Sequence, residues 1–527
     1  MISPTKFITG DGSEWLQVKK GGRAGYGKID YLIENPTAFW AQLKRQKLTI
    51  ISHRSRKEII DAAENLVDSE PALHVGRYGW YDRQYVKPGD ELPDRIDGLP
   101  VISDLPANAR PWAHNGTIDG WQTGVAHLCE GQAIPTFVMS CAFASLILKF
   151  APSISDNPFF ELADDTSGGK STMLELSASV FGKTEDWIDN WDTTVNGLEE
   201  KMALAADSIL QLDEENHFMA GGGTKETLAS TIFKLASGSE KARFGQDTAR
   251  KFRFLGLSTA NQPIASLLST IEKSRADAVK VRLATIPVNA PFGCFDTVPS
   301  GEESSADAIL AVKNLARDHH GHAAREFLGV LKGRYLSRSF GAELLKRKIA
   351  RYMQEFRDLV GGDLNRPEGR LLDKFALVYA GGRLAYRFRV LPFRGIGPAV
   401  LQVYRRSQIA TRSEVAGTRV SAIDEVMAFL ERGKSQSRIV STPADLTEKE
   451  FDDTSYFLKV DAGTKWALIT SQSFRRAFGF RSDEVLADLH RAGLLRAKDG
   501  RQSQVRLRTS KSKDRVYQVQ VPMDKAI

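Results

Sequence analysis

The sequence predicts an α/β protein whose central region is a mostly parallel sheet with crossover helices. From Pro158 onward, short apolar runs alternate with segments of helical apolar spacing. A glycine-bearing turn separates the first run from its helix, and beyond Ser300 the apolar spacing is helical. We therefore expect an N-terminal α+β module over 1–108, the α/β core over 109–300, a helical lid over 301–415 and a C-terminal unit over 416–527.

Size and composition agree with several domains in a reducing compartment. A chain of 527 residues is too long for one hydrophobic core. The three cysteines, Cys129, Cys141 and Cys294, are too scattered for a disulfide framework. The N-terminal stretch lacks the basic and apolar segments of an export signal, and the apolar run 137–148 is too short to cross a bilayer. We expect a cytoplasmic protein with no membrane partner, and a buried helix at that run.

The basic charge is concentrated near the C-terminus. The net charge is +7 overall, and the stretch from Arg496 onward holds nine Lys or Arg against three Asp. Such an excess attracts a phosphate backbone, although a solvated basic tail is the alternative.

The predicted elements of each unit follow from spacing and turn residues. In the core they are strands over 159–163, 187–191, 208–212, 252–258 and 281–287, with helices over 121–150, 171–181 and 224–236. In the lid they are helices over 306–317, 323–331, 344–360 and 371–388. In the C-terminal unit they are helices over 471–478 and 482–494, followed by basic strands over 504–508 and 515–521. Two helices followed by a charged hairpin indicate a winged helix.

The turn after the first core strand predicts a phosphate-binding loop. Gly169, Lys170 and Ser171 fill the second half of the pattern G-x-x-x-x-G-K-[ST], while Asp164 stands where the first glycine belongs. Asp tolerates a left-handed backbone, so this loop need not be lost. ATP and Mg²⁺ are the expected cofactors, with Ser171 as a metal ligand. The residues expected to bind the nucleotide are Thr166, Ser167, Gly168, Gly169, Lys170, Ser171 and Thr172.

Polar residues at two later strand ends complete the predicted site. Asp213 and Glu214 follow an apolar strand, where the aspartate is expected to hold magnesium and the glutamate to polarise the attacking water. A charged cap on a buried strand is the alternative. Asn261, or failing that Thr259, is expected between the two loops to orient the water, although Asn is also a turn former.

A basic segment before the fourth core strand suggests a nucleic-acid-binding role. Lys241, Arg243, Arg250 and Lys251 flank a Gly-Gln-Asp turn, so a β-hairpin would direct them outward beside Phe244 to bind single-stranded nucleic acid. An exposed charged hairpin is the alternative.

Two arginines and a histidine cluster are open to more than one interpretation. Arg282, which opens the predicted strand, or Arg275 before it could stabilise charge at a neighbouring subunit's phosphate, or form a surface ion pair. The histidines of segment 318–322 lie at a predicted helix end without nearby acidic or cysteine partners, so a metal site is not expected there.

From about Val75 to its C-terminus the chain resembles the AAA+ helicase-like family labelled "superfamily II helicase and inactivated derivatives", which includes replication helicases of staphylococcal cassette chromosomes and related mobile elements. The family usually has glycine at the position of Asp164. The segments that carry the resemblance are Gly79-Trp80, Tyr85-Val-Lys-Pro-Gly89, Gly169-Lys-Ser-Thr172, Trp191-Asp-Thr-Thr-Val-Asn-Gly-Leu-Glu199, Leu212-Asp-Glu214, Lys241-Ala-Arg243, Val281-Arg-Leu283, Gly293-Cys-Phe-Asp296 and Gly369-Arg-Leu-Leu-Asp-Lys-Phe-Ala-Leu377.

The resemblance implies an AAA+ P-loop ATPase core in a homohexameric ring that hydrolyses ATP between subunits and moves DNA through its pore. Arg370 then becomes a candidate second sensor in the lid. The predicted function is an ATP-dependent DNA helicase of a mobile element or phage, with single-stranded DNA in the pore and duplex DNA at the winged helix. The alternatives are an AAA+ remodeller or switch that is not a helicase, and a non-hydrolysing DNA-binding scaffold in which Asp164 has silenced the loop.

Overall fold

The computed structural model describes the chain except at a set of short segments. The residues outside this description are 1–2, 88–94, 104, 106–110, 165–167, 193, 215–223, 241–250, 270–272, 289, 291, 362–365, 416–425, 428, 431–437, 440–455, 462–463, 479–481, 497–503, 507–514 and 522–527.

The N-terminal region forms a mixed sheet covered by three helices. The strands are β1 (Ser3–Thr9), β2 (Glu14–Lys20), β3 (Arg23–Lys28), β4 (Glu70–His74), β7 (Arg95–Ile96) and β8 (Leu99–Ile102), with a separate pair β5 (Gly79–Tyr81) and β6 (Gln84–Val86). The helices are α1 (Ile29–Glu34), α2 (Pro36–Arg45) and α3 (His53–Asn65). The strand order is β3-β2-β1-β4-β8-β7, and helix α2 begins with Pro36 behind the side-chain cap of Asn35. The helices bury Phe39, Leu43 and Ile59 against the sheet.

The central sheet is parallel throughout, which confirms the α/β prediction. The strands are β9 (Phe159–Ala163), β10 (Ile188–Asn190), β11 (Ile209–Asp213), β12 (Leu255–Ala260) and β13 (Leu283–Pro287). Their order is β10-β11-β12-β9-β13, so β12 lies between β9, which precedes the predicted phosphate loop, and β11, which ends at Asp213. The surrounding helices are α4 (Ile118–Gly120), α5 (Ala133–Ile147), α6 (Lys170–Ala178), α7 (Thr184–Trp187), α8 (Val195–Leu204), α9 (Lys225–Ser237), α10 (Ile264–Ser269) and α11 (Lys273–Arg282).

Two predictions for the core were wrong in detail. The stretch 121–150 is not one helix: a π-helix, Trp121–Ala126, and a short 3-10 turn precede Gly131, whose φ of +74° breaks the helical path before α5. Arg282 ends α11 and does not open β13. The polar, charged sequence of α11 lacks a clear apolar stripe, which is the signal that spacing analysis needs.

Helix α5 is the centre of the largest apolar cluster. Every residue of Ala133–Ile147 is buried. The longer span Ala133–Phe150 has the length and hydropathy of a membrane-crossing helix, but 94% of it is enclosed by the protein itself, as in a core helix. The predicted buried helix is therefore confirmed, and its Phe137 packs against Phe160 of β9 and against Phe375.

A helical layer follows the core and contains one helix that spacing analysis missed. Its helices are α12 (Ser305–Asp318), α13 (Ala323–Leu331), α14 (Gly341–Val360), α15 (Arg366–Arg387) and α16 (Ile396–Val415). The first four match predicted helices. Helix α16 buries Ile396, Val400, Val403 and Tyr404, a helical spacing that was available in the sequence but lies within a basic, polar stretch.

In its described part, the C-terminal region contains two helices and a five-stranded sheet that is antiparallel except at its first strand pair. The helices are α17 (Ser471–Phe478) and α18 (Ser482–Arg491), and the strands are β14 (Arg438–Ile439), β15 (Phe457–Asp461), β16 (Thr464–Thr470), β17 (Gln504–Arg506) and β18 (Arg515–Val521). The predicted final hairpin is present, whereas the β15–β16 hairpin was not predicted. The strand order is β14-β15-β16-β18-β17. The assignment as a winged helix and the four domain boundaries stay predictions.

Asp207 joins the segment around β5 to the core sheet. Its side chain is 1% exposed and accepts hydrogen bonds from Arg77 Nη1 at 2.7 Å and from the Trp80 backbone N–H at 3.0 Å. Trp80 in turn donates to the Leu146 carbonyl at 2.8 Å. Because Asp207 lies two residues before β11, this ion pair anchors residues 77–86 on the amino edge of the sheet.

We predict that Asp207→Ala destabilises the protein by about 3 kcal/mol, because removing one partner leaves a desolvated guanidinium uncompensated. Arg77 is partly exposed, so the loss falls at the low end of the usual range for buried pairs. Chemical denaturation measures it. The control is Glu58→Ala, which breaks an exposed pair with Arg54 within α3 and should cost about 0.5 kcal/mol or less. Equal losses in the two variants would contradict the anchoring role.

Candidate nucleotide-binding site

The described part of the predicted phosphate loop has the backbone that such a loop requires. Gly169 caps α6 with a φ of +89°, a left-handed conformation that favours glycine. Lys170, Ser171 and Thr172 follow in the first helical turn, where backbone N–H groups lack intrahelical partners and point toward the N-terminal end. The Thr172 side chain is buried, so its contribution there is the backbone N–H. Thr166 and Ser167 lie outside the described residues.

Lys170 and Asp164 lie together at the start of the loop. The Lys170 ammonium donates to the Asp164 backbone carbonyl at 2.6 Å. The Asp164 side chain is 6% exposed, and its Oδ2 lies 3.0 Å from the position that a Cβ on Gly168 would occupy. Asp164 is not among the residues with positive φ, so the left-handed backbone that Asp tolerates is not required at this position. The carboxylate is a buried neighbour of the phosphate-binding backbone.

Asp213 gathers three hydrogen bonds at the carboxyl edge of the sheet. Its Oδ1 accepts from Ser171 Oγ at 3.1 Å, from the Glu214 N–H at 3.1 Å and from Thr259 Oγ1. These donors come from the start of α6, the end of β11 and the end of β12. Lys170, Ser171, Asp213 and a residue near a strand end lie at one edge of the sheet, because the carboxyl ends of parallel strands converge there.

The Ser171 and Asp213 oxygens suit a magnesium ion. Magnesium prefers octahedral oxygen ligands at about 2.0–2.1 Å and takes one or two protein carboxylates with water and substrate phosphates, so neighbouring ligands lie about 3 Å apart. The separation of 3.1 Å between Ser171 Oγ and Asp213 Oδ1 fits this geometry. Among the described residues, no group of three or more His, Cys, Asp or Glu side chains could form an all-protein cage. The histidines of segment 318–322 contact backbone instead: His320 lies against Ala316 O and His322 against Gly116 O.

Glu214 follows β11 directly and has an unusual conformation. Its φ is +58°, which is rare for a residue with a side chain and costs on the order of 1–3 kcal/mol. Its backbone N–H donates to Asp213 Oδ1 and to Thr259 Oγ1, both at 3.1 Å. These bonds hold the turn, and the Glu214 side chain remains exposed at the edge where the loop opens.

Thr259, and not Asn261, lies against the acidic residue. Thr259 is buried, donates to Asp213 Oδ1 and accepts from the Glu214 N–H. Asn261 follows β12 in an exposed turn and makes no hydrogen bond to the residues the structure describes. Asn261 was expected at this place as the polar residue after the predicted strand 252–258, but β12 extends to Ala260, and the residue that contacts Asp213 is Thr259, within the strand.

Arg282 lies at the opposite edge of the sheet from the loop. It directly precedes β13, and a strand of that length spans about 15 Å, so its side chain is separated from its own loop. The guanidinium stacks on Phe233 at 4.7 Å and donates to Ala278 O at 2.9 Å. It lines a cavity of about 650 Å³ with Phe233, Lys234 and Glu240. For Arg275, the side chain lies outside the described residues.

Lys374 and Arg370 of α15 belong to the same edge. The Lys374 ammonium donates to the carbonyls of Val281 at 2.9 Å and Arg282 at 2.6 Å. Burial lowers the pKa of Lys374 to about 7, with Asp156 opposing the shift and Arg282 and Arg370 adding to it. Arg370 is exposed and lies within electrostatic reach of Lys374. The structure therefore places the expected second sensor beside Arg282 and away from the loop of the same chain.

The predicted nucleic-acid residues fall mainly outside the description. Lys241, Arg243 and Arg250 lie in the undescribed segment, and Lys251 is exposed. Ser239 and Lys251 form an antiparallel bridge, and the Phe252 N–H donates to Gly238 O at 2.8 Å, so the two ends of the segment are paired. These joined ends of the segment lie at the amino edge of the sheet, as Arg282 does.

The protein is a parallel α/β protein in which Lys170, Ser171, Asp213 and Thr259 lie at the carboxyl edge of the sheet, as in a phosphate-loop arrangement. Comparison with solved structures gives a match described as "SCCmec type IV Cch - active helicase", with a TM-score of 0.56 and 16% identity, covering 99% of this chain and 93% of that chain. A family model described as a domain of unknown function, DUF927, matches residues 30–252, which include the loop and Asp213 but not Thr259 or the lid. No curated protein matches the chain. The chain therefore has a helicase-like fold; the "superfamily II" label stays a prediction.

Proposed function

We propose that the chain is an ATP-dependent DNA helicase of a mobile element or phage. The observation that carries the proposal is the convergence of Ser171, Asp213 and Thr259 beside the Lys170 turn. The shared fold with a protein described as an active helicase supports it over the full length of the chain. In this proposal the region 109–300 is an AAA+ core, 301–415 its lid and 416–527 a winged helix.

Each residue at the carboxyl edge has a role in ATP hydrolysis. Lys170 and the N–H groups of the loop and first helical turn bind the phosphates, and Ser171 with Asp213 would hold Mg²⁺. When bound, the metal would neutralise the negative charge that develops on the phosphates. Glu214 accepts a hydrogen bond from the attacking water and polarises it. Thr259 fixes the Asp213 carboxylate and the Glu214 backbone, so both carboxylates keep their positions.

The placement of Arg282 at the amino edge is consistent with action on another subunit. It cannot reach the nucleotide of its own chain, whereas a ring would bring it to the partner's phosphate loop, where a guanidinium stabilises transferred charge. We propose a homohexamer for this reason, with Arg282, or Arg275, as the arginine that completes the neighbouring site. Lys374 holds the Arg282 carbonyl and with it the end of α11.

DNA is the proposed polyanionic partner. Lys241, Arg243, Arg250 and Lys251 would line the pore and follow the phosphates of a single strand, and the basic C-terminal region would bind duplex DNA. The two ends of segment 241–250 are joined by the Ser239–Lys251 bridge and lie at the amino edge of the sheet, as Arg282 does. Movement between subunits is therefore transmitted to the basic segment.

One observation favours a second candidate, a non-hydrolysing DNA-binding scaffold. The Asp164 carboxylate is buried against Gly168, where its charge opposes a phosphate. A scaffold would bind DNA without nucleotide and would be indifferent to Lys170→Ala.

Steady-state ATP hydrolysis with and without single-stranded DNA, followed by strand displacement on tailed duplexes, tests the proposal. We expect DNA-stimulated hydrolysis and unwinding, loss of both in Lys170→Ala, and a roughly 100-fold or greater fall in kcat for Glu214→Gln. Replacing Lys241, Arg243, Arg250 and Lys251 by Ala should remove the DNA stimulation while basal hydrolysis persists.

The matched control removes four exposed charges elsewhere, at Lys19, Lys20, Arg23 and Arg54, and should leave the stimulation unchanged. Hydrolysis without DNA stimulation or unwinding at any tail polarity would contradict the helicase proposal and favour a remodeller. DNA binding without any hydrolysis would favour the scaffold.

We further predict that Thr259→Val lowers kcat by about 10-fold, because it removes one hydrogen bond from the metal-binding carboxylate and one from the Glu214 turn. Asn261→Ala should stay within about twofold of the parent, since Asn261 makes no such contact. Single-turnover hydrolysis rates measure both. The reverse order of effects would restore Asn261 as the water-orienting residue.

A further inference from the structure

A cavity of about 320 Å³ lies where the β5–β6 hairpin meets α13. Its charged lining residues are basic: Arg83, Lys87, Arg325 and Lys332. Among the residues that the structure describes, no acidic side chain lines it. A cavity of this size keeps the charges within roughly one Debye length of one another, about 8 Å at physiological salt, so their repulsion is only partly screened. A bound anion would offset this repulsion.

Backbone contacts hold two of these basic side chains in place. Arg83 is at the tip of the hairpin, and its Nη1 donates to Arg338 O at 3.2 Å. Arg325 Nη2 donates to Trp112 O at 2.7 Å. The hairpin itself is fixed to the core by the bonds of Asp207. The two guanidinium groups are therefore positioned before a ligand binds, which reduces the conformational entropy lost on binding.

The back of the cavity is apolar. Trp80, Val86 and Leu328 are buried and line it, and the half-buried Tyr85 lies beside them. Gly329 is exposed at the rim, and a Cβ there would meet nothing within 4 Å, so the cavity is open to solvent on this side. Cations around an apolar floor suit a ligand that carries a phosphate next to a flat apolar group, as a nucleotide unit does.

A line of basic side chains connects the cavity with Lys251. Arg253, two residues further along the chain, has its Nη1 3.5 Å from Lys149 O. The Lys149 ammonium donates to Asp82 O at 2.8 Å, and the Asp82 carboxylate lies 3.3 Å from Arg83 Nε, where it offsets part of the positive charge. An extended polyanion can contact this whole line, whereas a free nucleotide would occupy only the cavity.

We propose that this cavity is a binding site for single-stranded nucleic acid, separate from the basic segment 241–250 and from the C-terminal region. Phosphates of the strand would contact Arg83, Lys87 and Lys332, and one base would lie against the apolar floor. The inference rests on the proposed function in that a helicase supplies the strand. Binding here requires no nucleotide in the phosphate loop.

Substitutions at Gly329 test the charge of the cavity with the fold preserved. The position lies within α13 and has room for a side chain, and Ala, Glu and Lys all favour a helix more than Gly does. We expect Gly329→Glu to weaken binding of a labelled oligothymidylate of about 20 nucleotides by about 10-fold or more. Gly329→Ala should stay within about twofold of the parent, and Gly329→Lys should bind at least as tightly.

Fluorescence anisotropy of the full-length protein without nucleotide measures these affinities. All three substitutions are made in the variant in which Lys241, Arg243, Arg250 and Lys251 are Ala, so that the basic segment does not contribute. Equal affinities of the Gly329→Glu and Gly329→Lys proteins would overturn the site.

The salt dependence of binding provides an independent measure. Arg83→Gln combined with Lys332→Gln should make the slope of log affinity against log salt concentration shallower by about 1.4, since each phosphate contact of a single strand contributes about 0.7. The matched control, Lys19→Gln with Arg23→Gln, removes one lysine and one arginine from exposed positions of the N-terminal sheet and should leave the slope unchanged. The same slope in both double variants would overturn the site.

The outcomes separate this inference from the proposed function. A protein that unwinds DNA but binds the strand equally with Glu or Lys at position 329 keeps the helicase proposal and loses only this site. A protein that binds the strand through the cavity but hydrolyses no ATP keeps the site and loses the helicase proposal. If ATP displaces the oligonucleotide from Lys170→Ala, in which the phosphate loop is disabled, the cavity binds free nucleotides and its assignment to a strand is overturned.

Discussion

The candidate site depends on one oxygen atom, Asp213 Oδ1, which receives hydrogen bonds from three separate parts of the chain. This convergence follows from strand order. With β12 between β9 and β11, a side chain near the carboxyl end of β12 must lie between the candidate phosphate loop and the acidic residue. Thr259 occupies that place and fixes both the Asp213 carboxylate and the left-handed Glu214. The strain at Glu214 persists because these bonds determine the turn.

The two edges of the sheet have different roles in this account. The carboxyl edge holds the groups that would bind nucleotide and metal, and the amino edge holds Arg282, Lys374 and the base of the basic segment. Because the edges are a strand's length apart, chemistry at one can involve the other only through a second subunit or a conformational change. Two aspartates fasten other parts of the chain to the sheet domain: Asp207 anchors residues 77–86, and Asp296 anchors α16.

Local patterns predicted the elements and residues that are contiguous in sequence. Strand β9, the Lys170 turn, Asp213 and the first four lid helices follow from spacing and short motifs. Thr259 was only the second choice because strand ends are set by pairing with neighbours, not by local sequence. The contact between Arg406 and Asp296 spans 110 residues, and no local pattern predicts which buried carboxylate an arginine will meet. The side-chain positions of Lys241, Arg243 and Arg250 stay a prediction.

The most direct measurement is calorimetric titration of the full-length protein with ATP in the presence of Mg²⁺ and again with the metal chelated. The account predicts saturable binding that weakens markedly without magnesium, and an Asp213→Asn variant in which magnesium no longer improves affinity, since the carboxylate beside Ser171 has lost its charge. Binding that is equally strong with and without magnesium, or no binding at all, would contradict the claim that Ser171 and Asp213 form a metal–nucleotide site.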